Sequence, residues 1–181
     1  MKNIVAFDIE TTGISVQADK VIQLSAVKFD QHFNIIDTFD VYINPIGVWH
    51  MSDGAFQVHG ISEEFLRENG KSMKDIAPVF MEFIKDCDLL SYNGNKFDIR
   101  MLVKDLREVG YTVDLDSRAF IDAYLLEAKL NPRTLSNVYK SYTGKDLDDA
   151  HNALADVKAT VEVFKYQVDL FKQDLEVSAN P

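Results

Sequence analysis

The first predicted strand, residues 3–10, constrains the chain most, because an apolar run ends there in two carboxylates. Its β-branched and aromatic residues are typical of a buried strand, whereas Asp8 and Glu10 are charged. Residues i and i+2 of a strand point to the same face, so these carboxylates stand side by side, about 6 to 7 Å apart at the backbone. The pair favours a shared hard cation. An exposed strand end with two solvated acids is the alternative, and the pair alone does not decide between them.

The composition indicates a globular chain and limits how it can hold nucleic acid. With 181 residues, 46% hydrophobic and 27% charged, the chain is long enough for one full-sized core. We therefore expect a single domain over residues 1–181, with its core in about residues 2–171 and a short tail at 172–181. The formal net charge of -10 argues against holding long nucleic acid by counterion release alone. Any such contact is expected to be short, local or assisted by metal ions.

Cysteine content and hydropathy predict the cellular compartment. The single cysteine, Cys87, cannot form an intramolecular disulfide, and its place at the end of an amphipathic helix favours a buried, inert thiol. The sequence has no apolar run of about 18 residues and no secretory signal pattern. We therefore expect a cytoplasmic protein that does not contact a membrane.

The predicted elements form a β-rich first third, followed by alternating strands and helices. Residues 45–60 lack periodicity but are rich in aromatic and histidine side chains, which predicts a long functional loop. The strands are predicted at 3–10, 21–29, 35–43, 89–92 and 119–122, and the helices at 63–66, 72–86, 96–109, 123–129, 134–142 and 152–170. This order predicts an α/β fold with a five-stranded mixed sheet, an antiparallel meander plus two further strands, flanked by helices on both faces.

Asp98 is expected in the first turn of the helix that follows the strand at 89–92, beside the polar turn formed by residues 93–95. Open α/β sheets commonly place their sites beyond the carboxyl ends of their strands. An Asp in a first turn also interacts favourably with the helix dipole. Asp98 by itself is therefore weak evidence for a site.

His151 and Asp156 form a second candidate pair, in the sequence His-Asn-Ala-Leu-Ala-Asp. Residues five apart on an ideal helix lie about 140° around it and do not share a face, so His151 is expected to precede the helix. If Asn152 caps that helix, Asp156 lies one turn in and can face the sheet. The alternative is a surface His beside an ordinary helical Asp.

Taken in order, three motifs resemble those of the DEDDh family of 3'-5' exonucleases. They are Asp8-Ile9-Glu10-Thr11-Thr12-Gly13, Asn95-Lys96-Phe97-Asp98, and His151-x-Ala153-x-x-Asp156. The resemblance runs from Lys2 to about Leu170 and is nearest to the proofreading (epsilon) subunits of bacterial replicative DNA polymerases. It implies a ribonuclease H-like fold. Many members have His-Asn-x-x-Phe-Asp in the second motif, whereas this chain has Tyr92-Asn93-Gly94-Asn95-Lys96-Phe97-Asp98, so which Asn caps the helix is left open.

The resemblance also implies the site. It places four carboxylates around one pocket as ligands of two divalent cations: Asp8, Glu10, Asp98 and Asp156. Oxygen donors without cysteine favour Mg²⁺ or Mn²⁺ over a structural Zn²⁺. His151 is the implied general base, because its unperturbed pKa of about 6.5 lies close to working pH. The implied substrate contacts are Thr11, Thr12, Gly13, His59 and Phe97. His59 belongs to the segment Val58-His59-Gly60-Ile61, which matches a family segment that contacts the terminal nucleotide.

The implied reaction releases nucleoside 5'-monophosphates from the 3' end of single-stranded DNA, as in proofreading. The alternative is an exoribonuclease that trims short RNA or RNA 3' ends, because the same acids serve both substrates and a 2'-hydroxyl pocket is not visible in sequence. A more distant alternative is a non-catalytic nucleic-acid-binding module with the same fold. A role as a DNA polymerase subunit has no support in residues 171–181, which contain no obvious docking tail.

Overall fold

The computed structural model describes residues 2–150 and 152–178, and it divides into two compact units, Met1–Leu125 and Leu126–Pro181. We call them the first and the second unit and describe each by itself. The single domain expected from the sequence stays a prediction. The helices of the described residues are α1 (Asp53–His59), α2 (Glu63–Asn69), α3 (Met73–Phe83), α4 (Asp98–Glu108), α5 (Ala123–Leu130), α6 (Leu135–Thr143) and α7 (Ala153–Ser178).

The first unit contains a six-stranded sheet with the order β4-β3-β2-β1-β5-β6. The strands are β1 (Ile4–Thr11), β2 (Val21–Phe29), β3 (Ile35–Asn44), β4 (Lys71–Ser72), β5 (Asp88–Ser91) and β6 (Phe120–Asp122). β1, β2 and β3 form the predicted antiparallel meander, and β5 runs parallel to both β1 and β6. The predicted mixed α/β sheet is confirmed, but the count of five strands is wrong. The additional strand, β4, has two residues and pairs in parallel with the end of β3, so it is too short to show a sequence period.

The alternation of side chains along β1 separates the core from the charged residues. Val5, Phe7 and Ile9 are buried in the main core, which also includes the apolar faces of α3 and α4. Asp8 is exposed and Glu10 is half-buried, and both point to the opposite face of the sheet. The sheet therefore presents an apolar face to two helices and two carboxylates on the other side.

The face that bears Glu10 carries a second, smaller cluster. Tyr42 is in register with Gln23, which is in register with Glu10, so Tyr42 shares this face. It packs against the buried cluster of Ile22, Ile61 and Leu66, the last of which lies on α2. Helices therefore cover parts of both faces of the sheet, as predicted.

The stretch 45–60 is not the continuous loop that the sequence predicts, because α1 lies within it. Ser52 caps this helix by accepting a hydrogen bond from the N–H of Ala55, and Gly60 ends it with a φ of 72°. The helix has seven residues and no buried side chain, so it has no apolar stripe that a sequence pattern would reveal. The N–H of Ser52 donates to the carbonyl of Thr12, which ties the helix to the loop after β1.

The loop between β1 and β2 is held against α4 by buried charges. Asp105 on α4 is 5% exposed and accepts a 2.7 Å hydrogen bond from the N–H of Val21. Lys104 Nζ lies 3.0 Å from its other oxygen as an ion pair without a well-aligned hydrogen bond, and Lys20 Nζ lies 3.9 Å from it. Burial raises the pKa of Asp105, and the Val21 N–H and both lysines oppose this shift. Lys104 also donates to the carbonyl of Asp19. Helix α4 and the loop after β1 are therefore fixed to each other.

In the second unit, α6 and α7 pack together. The hydroxyl of Tyr139 donates a 3.0 Å hydrogen bond to Glu162, and the rings of Tyr142 and Tyr166 stack with centroids 6.0 Å apart. The predicted cap of α7 is confirmed, because the side-chain oxygen of Asn152 accepts hydrogen bonds from the N–H groups at the start of the helix. Within the described residues, no helix is both long and apolar enough to cross a membrane.

Candidate functional site

Three of the predicted carboxylates come close together in the first unit. Asp8 and Glu10 lie near the end of β1, and Asp98 is the first residue of α4, which follows β5. Because β1 and β5 are adjacent and parallel, their carboxyl ends lie at the same edge of the sheet. Asp98, which follows β5, therefore lies at the same edge of the sheet as the end of β1. Besides burial, the charge of Asp8 raises the pKa of Glu10, and the charges of Asp8 and Glu10 raise the pKa of Asp98, which agrees with this placement.

Burial and like charge both oppose ionisation of two of these groups. Burial raises the pKa of Glu10, the charge of Asp8 raises it further, and His59 acts in the opposite direction. Burial also raises the pKa of Asp98, where the charges of Asp8, Glu10 and Asp122 add to the shift and its own backbone N–H opposes it. The site therefore concentrates negative charge that a cation would offset.

The turn at residues 93–95 stands directly against Asp98. A Cβ on Gly94 would lie 2.4 Å from the hydroxyl oxygen of Ser91 and 2.9 Å from Oδ2 of Asp98, so only glycine fits there. The sequence left open which Asn caps α4, and the structure shows that neither does. The N-cap position is Phe97, which makes no side-chain capping bond and packs partly buried against the main core.

The threonines and the glycine after Glu10 shape the loop. Thr11 and Thr12 are buried, and their hydroxyls donate to the carbonyl of Gly13 at 2.7 Å and to Asp19 at 2.9 Å, respectively. Gly13 is packed so tightly that a Cβ there would lie 2.6 Å from a carboxylate oxygen of Asp19. Both hydroxyls are therefore engaged within the protein. The predicted contact of these three residues with a substrate stays a prediction.

His59 is the last residue of α1, and a hydrogen bond defines the tautomer of its neutral ring. Its Nδ1 accepts a 3.0 Å hydrogen bond from the N–H of Ile61, so a neutral ring carries its proton on Nε2. Nε2 is buried and has no hydrogen-bond partner among the described residues. The ring lies close enough to Glu10 to lower the pKa of that carboxyl. His59 therefore brings a donor without a protein acceptor to the edge of the site.

A cavity of about 570 Å³ lies on the sheet face that carries Asp8. Ser25, Val27, Leu90 and Tyr92 contribute to its lining together with Asp8. Tyr92 is 70% exposed, and its ring makes an edge contact with that of Tyr124, the centroids being 5.9 Å apart. The cavity thus combines a carboxylate, apolar strand side chains and an accessible aromatic ring.

The chemistry of the donor set suits a hard divalent cation. Asp8, Glu10 and Asp98 supply only oxygen donors, and the one cysteine, Cys87, is buried in the core. Within the part of the chain that the structure describes, no three His, Cys, Asp or Glu side chains already stand as a metal-binding group. A bound cation would relieve the like-charge repulsion that contributes to the raised pKa values of Glu10 and Asp98.

Two predicted site residues belong to the second unit. Asp156 lies in the first turn of α7, and its N–H donates a 2.9 Å hydrogen bond to the carbonyl of Asn152. His151 lies outside the described residues. The predicted assembly of Asp156 and His151 with the other three carboxylates stays a prediction.

Sequence reasoning missed Asp122, which lies at the end of β6 and is 5% exposed. Burial opposes its ionisation, but hydrogen bonds from four backbone N–H groups outweigh burial and hold the pKa of Asp122 below its ordinary value. The available signal was an Asp placed directly between a strand and a helix. The local sequence pattern predicts only a strand over residues 119–122.

Comparison with known proteins gives matches along most of the chain. The sequence model of the RNase_T family, described as Exonuclease, matches residues 5–164. A Clostridium perfringens protein named DNA polymerase III PolC-type is 29% identical over 177 residues, covering 96% of this chain and 12% of the relative. A Thermotoga maritima protein of the same name is 32% identical over 173 residues, covering 93% of this chain and 12% of the relative. The chain thus spans only about an eighth of the length of these relatives.

Solved structures share the fold. The crystal structure of E. coli exonuclease I in complex with a dT13 oligonucleotide superimposes with a TM-score of 0.66 at 21% identity, covering 96% of this chain and 43% of that chain. A product-bound structure of exonuclease I gives the same TM-score and identity, with 96% and 46% covered. At this level of identity the likeness concerns the fold.

The pKa shift of Glu10 predicts how one substitution changes stability. With a chelator present, Glu10→Gln is expected to raise the free energy of unfolding at pH 7, because it removes a carboxylate whose ionisation is opposed by burial and by Asp8. The folded chain binds this proton more tightly than the unfolded chain. The contribution of Glu10 to the free energy of unfolding therefore falls as the pH rises from the ordinary pKa of Glu through the raised pKa of Glu10. Below the ordinary pKa of Glu, Glu10 is protonated in both states, and the stability advantage of the variant disappears.

Urea denaturation followed by the fluorescence of Trp49, the single tryptophan, measures this effect between pH 4 and pH 8. Glu68→Gln, at an exposed position of α2, is the matched control and is expected to lack this pH-dependent gain. A Glu10→Gln variant no more stable than wild type at pH 7 would contradict the electrostatic description of the site.

Proposed function

Because the chain belongs to the RNase_T exonuclease family, we propose that it hydrolyses the 3'-terminal phosphodiester of single-stranded DNA and releases nucleoside 5'-monophosphates. The family predicted from the three motifs is confirmed, and so is the ribonuclease H-like fold. The observation that carries the proposal is the gathering of Asp8, Glu10 and Asp98 at one edge of the sheet. Three carboxylates at a strand end suit a divalent-cation-dependent phosphodiester hydrolase.

We assign the cation ligands to Asp8, Glu10 and Asp98 in the first unit and to Asp156 in the second. The oxygen-only donor set supports Mg²⁺ or Mn²⁺, and the number of acids supports two ions. When bound, such ions supply charge stabilisation for the phosphate oxygens during hydrolysis. The carboxylates themselves would hold the ions in place and lose their mutual repulsion in doing so.

We assign the general base to His151. A neutral imidazole nitrogen of His151 would accept the proton of the attacking water, the role that histidine most often has in general-base catalysis. The support for this role is the match of His151-x-Ala153-x-x-Asp156 to the third motif of the family. Asn152 caps α7, which begins at Ala153.

Contacts with the last nucleotides are proposed to replace a basic binding groove, since the chain carries a net charge of -10. The buried Nε2–H of His59 is available to donate to an oxygen of the terminal nucleotide. Tyr92 offers an exposed ring for base stacking beside Asp8. Binding by stacking and by a few local hydrogen bonds favours one or two nucleotides over a long strand.

DNA is the proposed substrate rather than RNA, and proofreading at a replication 3' end is the proposed role. Support comes from the relatives named as DNA polymerases and from the similar structure of exonuclease I, which was solved with a dT13 oligonucleotide. Trimming of RNA 3' ends remains the competing assignment, because the carboxylates act on the phosphodiester and not on the sugar.

Asp8→Asn is expected to abolish the hydrolysis, because it removes a charge from the proposed cation site without removing a core side chain. The measurement is the stepwise shortening of 5'-labelled single-stranded DNA and RNA of equal sequence, with Mg²⁺, Mn²⁺ or EDTA. The matched control is Asp37→Asn, on the exposed part of β3, which should retain wild-type rates.

Full turnover by Asp8→Asn, or by the wild type in EDTA, would refute the cation-dependent mechanism. Degradation of RNA with DNA left intact would instead identify the exoribonuclease.

His151→Ala is expected to lower the turnover rate by about 10² to 10⁴, the usual contribution of a general base. Mn²⁺ affinity should stay nearly unchanged, because a side chain that only accepts a proton does not ligate the ion. The variant should also lose the acidic limb of the pH profile between pH 6 and pH 9. A loss of Mn²⁺ affinity would make His151 a ligand, and wild-type rates would make it a surface residue.

A further inference from the structure

Asp122 makes an unusual number of backbone contacts for one side chain. Its Oδ1 accepts hydrogen bonds from the N–H groups of Asn93 at 2.9 Å, Tyr124 at 3.0 Å and Leu125 at 3.4 Å. Its Oδ2 accepts one from the N–H of Asn95 at 3.3 Å. Four backbone N–H groups converge on this one carboxylate, three of them on Oδ1. Asp122 thus joins the turn before α4 to the start of α5.

The 93–95 turn depends on this carboxylate for its shape. Asn93 has a φ of 62°, a left-handed conformation that is uncommon outside glycine and that asparagine adopts more readily than most residues. The N–H groups on both sides of Gly94 donate to Asp122, and these two hydrogen bonds fix the backbone on either side of the glycine. The turn is therefore held by one side chain from a strand 27 to 29 residues further along the chain.

The 93–95 turn limits the positions that the Asp98 side chain can adopt. The backbone at Gly94 is so close that a Cβ there would lie 2.9 Å from Oδ2 of Asp98. The carbonyl of Gly94 also accepts a 3.2 Å hydrogen bond from the N–H of Ile99, in the first turn of α4. A displacement of the turn would therefore move both the wall beside the Asp98 carboxylate and the helix end that carries it.

We propose that Asp122 is a positioning residue that fixes the 93–95 turn and, through it, the Asp98 carboxylate in the orientation needed to hold a divalent cation. This proposal rests on the proposed function, because that function makes Asp98 a cation ligand. The four hydrogen bonds to the backbone assign Asp122 to positioning and not to the set of cation ligands. Groups that orient metal ligands typically affect metal affinity by about 10- to 100-fold.

The test measures Mn²⁺ binding to the full chain by isothermal titration calorimetry. Asp122→Asn keeps the side-chain shape but replaces one carboxylate oxygen with an NH₂ group, which faces a backbone N–H instead of accepting from it. We expect it to weaken Mn²⁺ binding about 10- to 100-fold. The matched control is Asp30→Asn. Like Asp122, Asp30 accepts hydrogen bonds from backbone N–H groups of a turn, here those of His32 and Asn34 between β2 and β3. This control should bind Mn²⁺ as the wild type does, and equal affinities of the two variants would overturn the proposal.

A double-mutant cycle separates positioning from general destabilisation. In an Asp98→Asn background, Asp122→Asn should cause no further loss of Mn²⁺ affinity, since its effect passes through Asp98. The same loss in both backgrounds would overturn the proposal. If Asp122→Asn does not fold, Gly94→Ala replaces it in the cycle, because its Cβ would push the turn against Ser91 and Asp98. Unchanged Mn²⁺ binding in Gly94→Ala would then overturn the proposal.

Amide hydrogen exchange of Ile99 in the absence of metal provides a readout independent of the proposed function. Asp122→Asn should accelerate this exchange, whereas Asp30→Asn should not. If the wild type binds no Mn²⁺, the proposed function fails, and the exchange of Ile99 alone decides the positioning claim. Exchange of Ile99 at the wild-type rate in Asp122→Asn would overturn it.

Discussion

The placement of carboxylates at the end of β1 is the constraint on which the proposed site of the first unit depends. The alternation of a strand places Asp8 and Glu10 together on one face and their apolar neighbours in the core on the other. The parallel pairing of β5 with β1 then adds Asp98. Burial and like charge both raise the pKa values of Glu10 and Asp98, so the site lowers the stability of the metal-free fold. The proposed binding of cations by these carboxylates would offset this cost.

Two buried aspartates hold the backbone on either side of these charges. Asp105 binds the N–H of Val21 and pairs with lysines, which fixes the loop after Glu10 against α4. Asp122 binds the turn that precedes Asp98. Both use a carboxylate to accept hydrogen bonds from backbone N–H groups of a distant segment. The loops that follow β1 and β5 are thus fixed by contacts outside the group of proposed ligands, which is how rigid sites are usually supported.

The local features of this arrangement were predictable from sequence. The period of two in β1 predicts that Asp8 and Glu10 share a face, and the strand-turn-helix pattern predicts Asp98 in a first turn. The side chain of Asn152 identifies the beginning of α7 by its capping preference. Each of these inferences needs only residues that are neighbours along the chain.

The features that were missed depend on contacts between distant segments or on weak local signals. The role of Asp122 arises from donors 27 and 29 residues away, which no local pattern encodes. Helix α1 was missed because it buries no side chain, and β4 because it has two residues. The motif suggested an Asn cap for α4, but tertiary packing places Phe97 there. Local propensity was thus overridden where the tertiary structure supplies the partner.

Anomalous diffraction from crystals of the full chain grown with Mn²⁺ tests the central claim most directly. The measurement locates the ions without assuming any activity. The account predicts anomalous peaks within coordination distance, about 2.0 to 2.3 Å, of carboxylate oxygens of Asp8, Glu10 and Asp98. Peaks confined to other carboxylates, or none at the end of β1 at saturating Mn²⁺, would contradict the claim that these acids are gathered to bind cations.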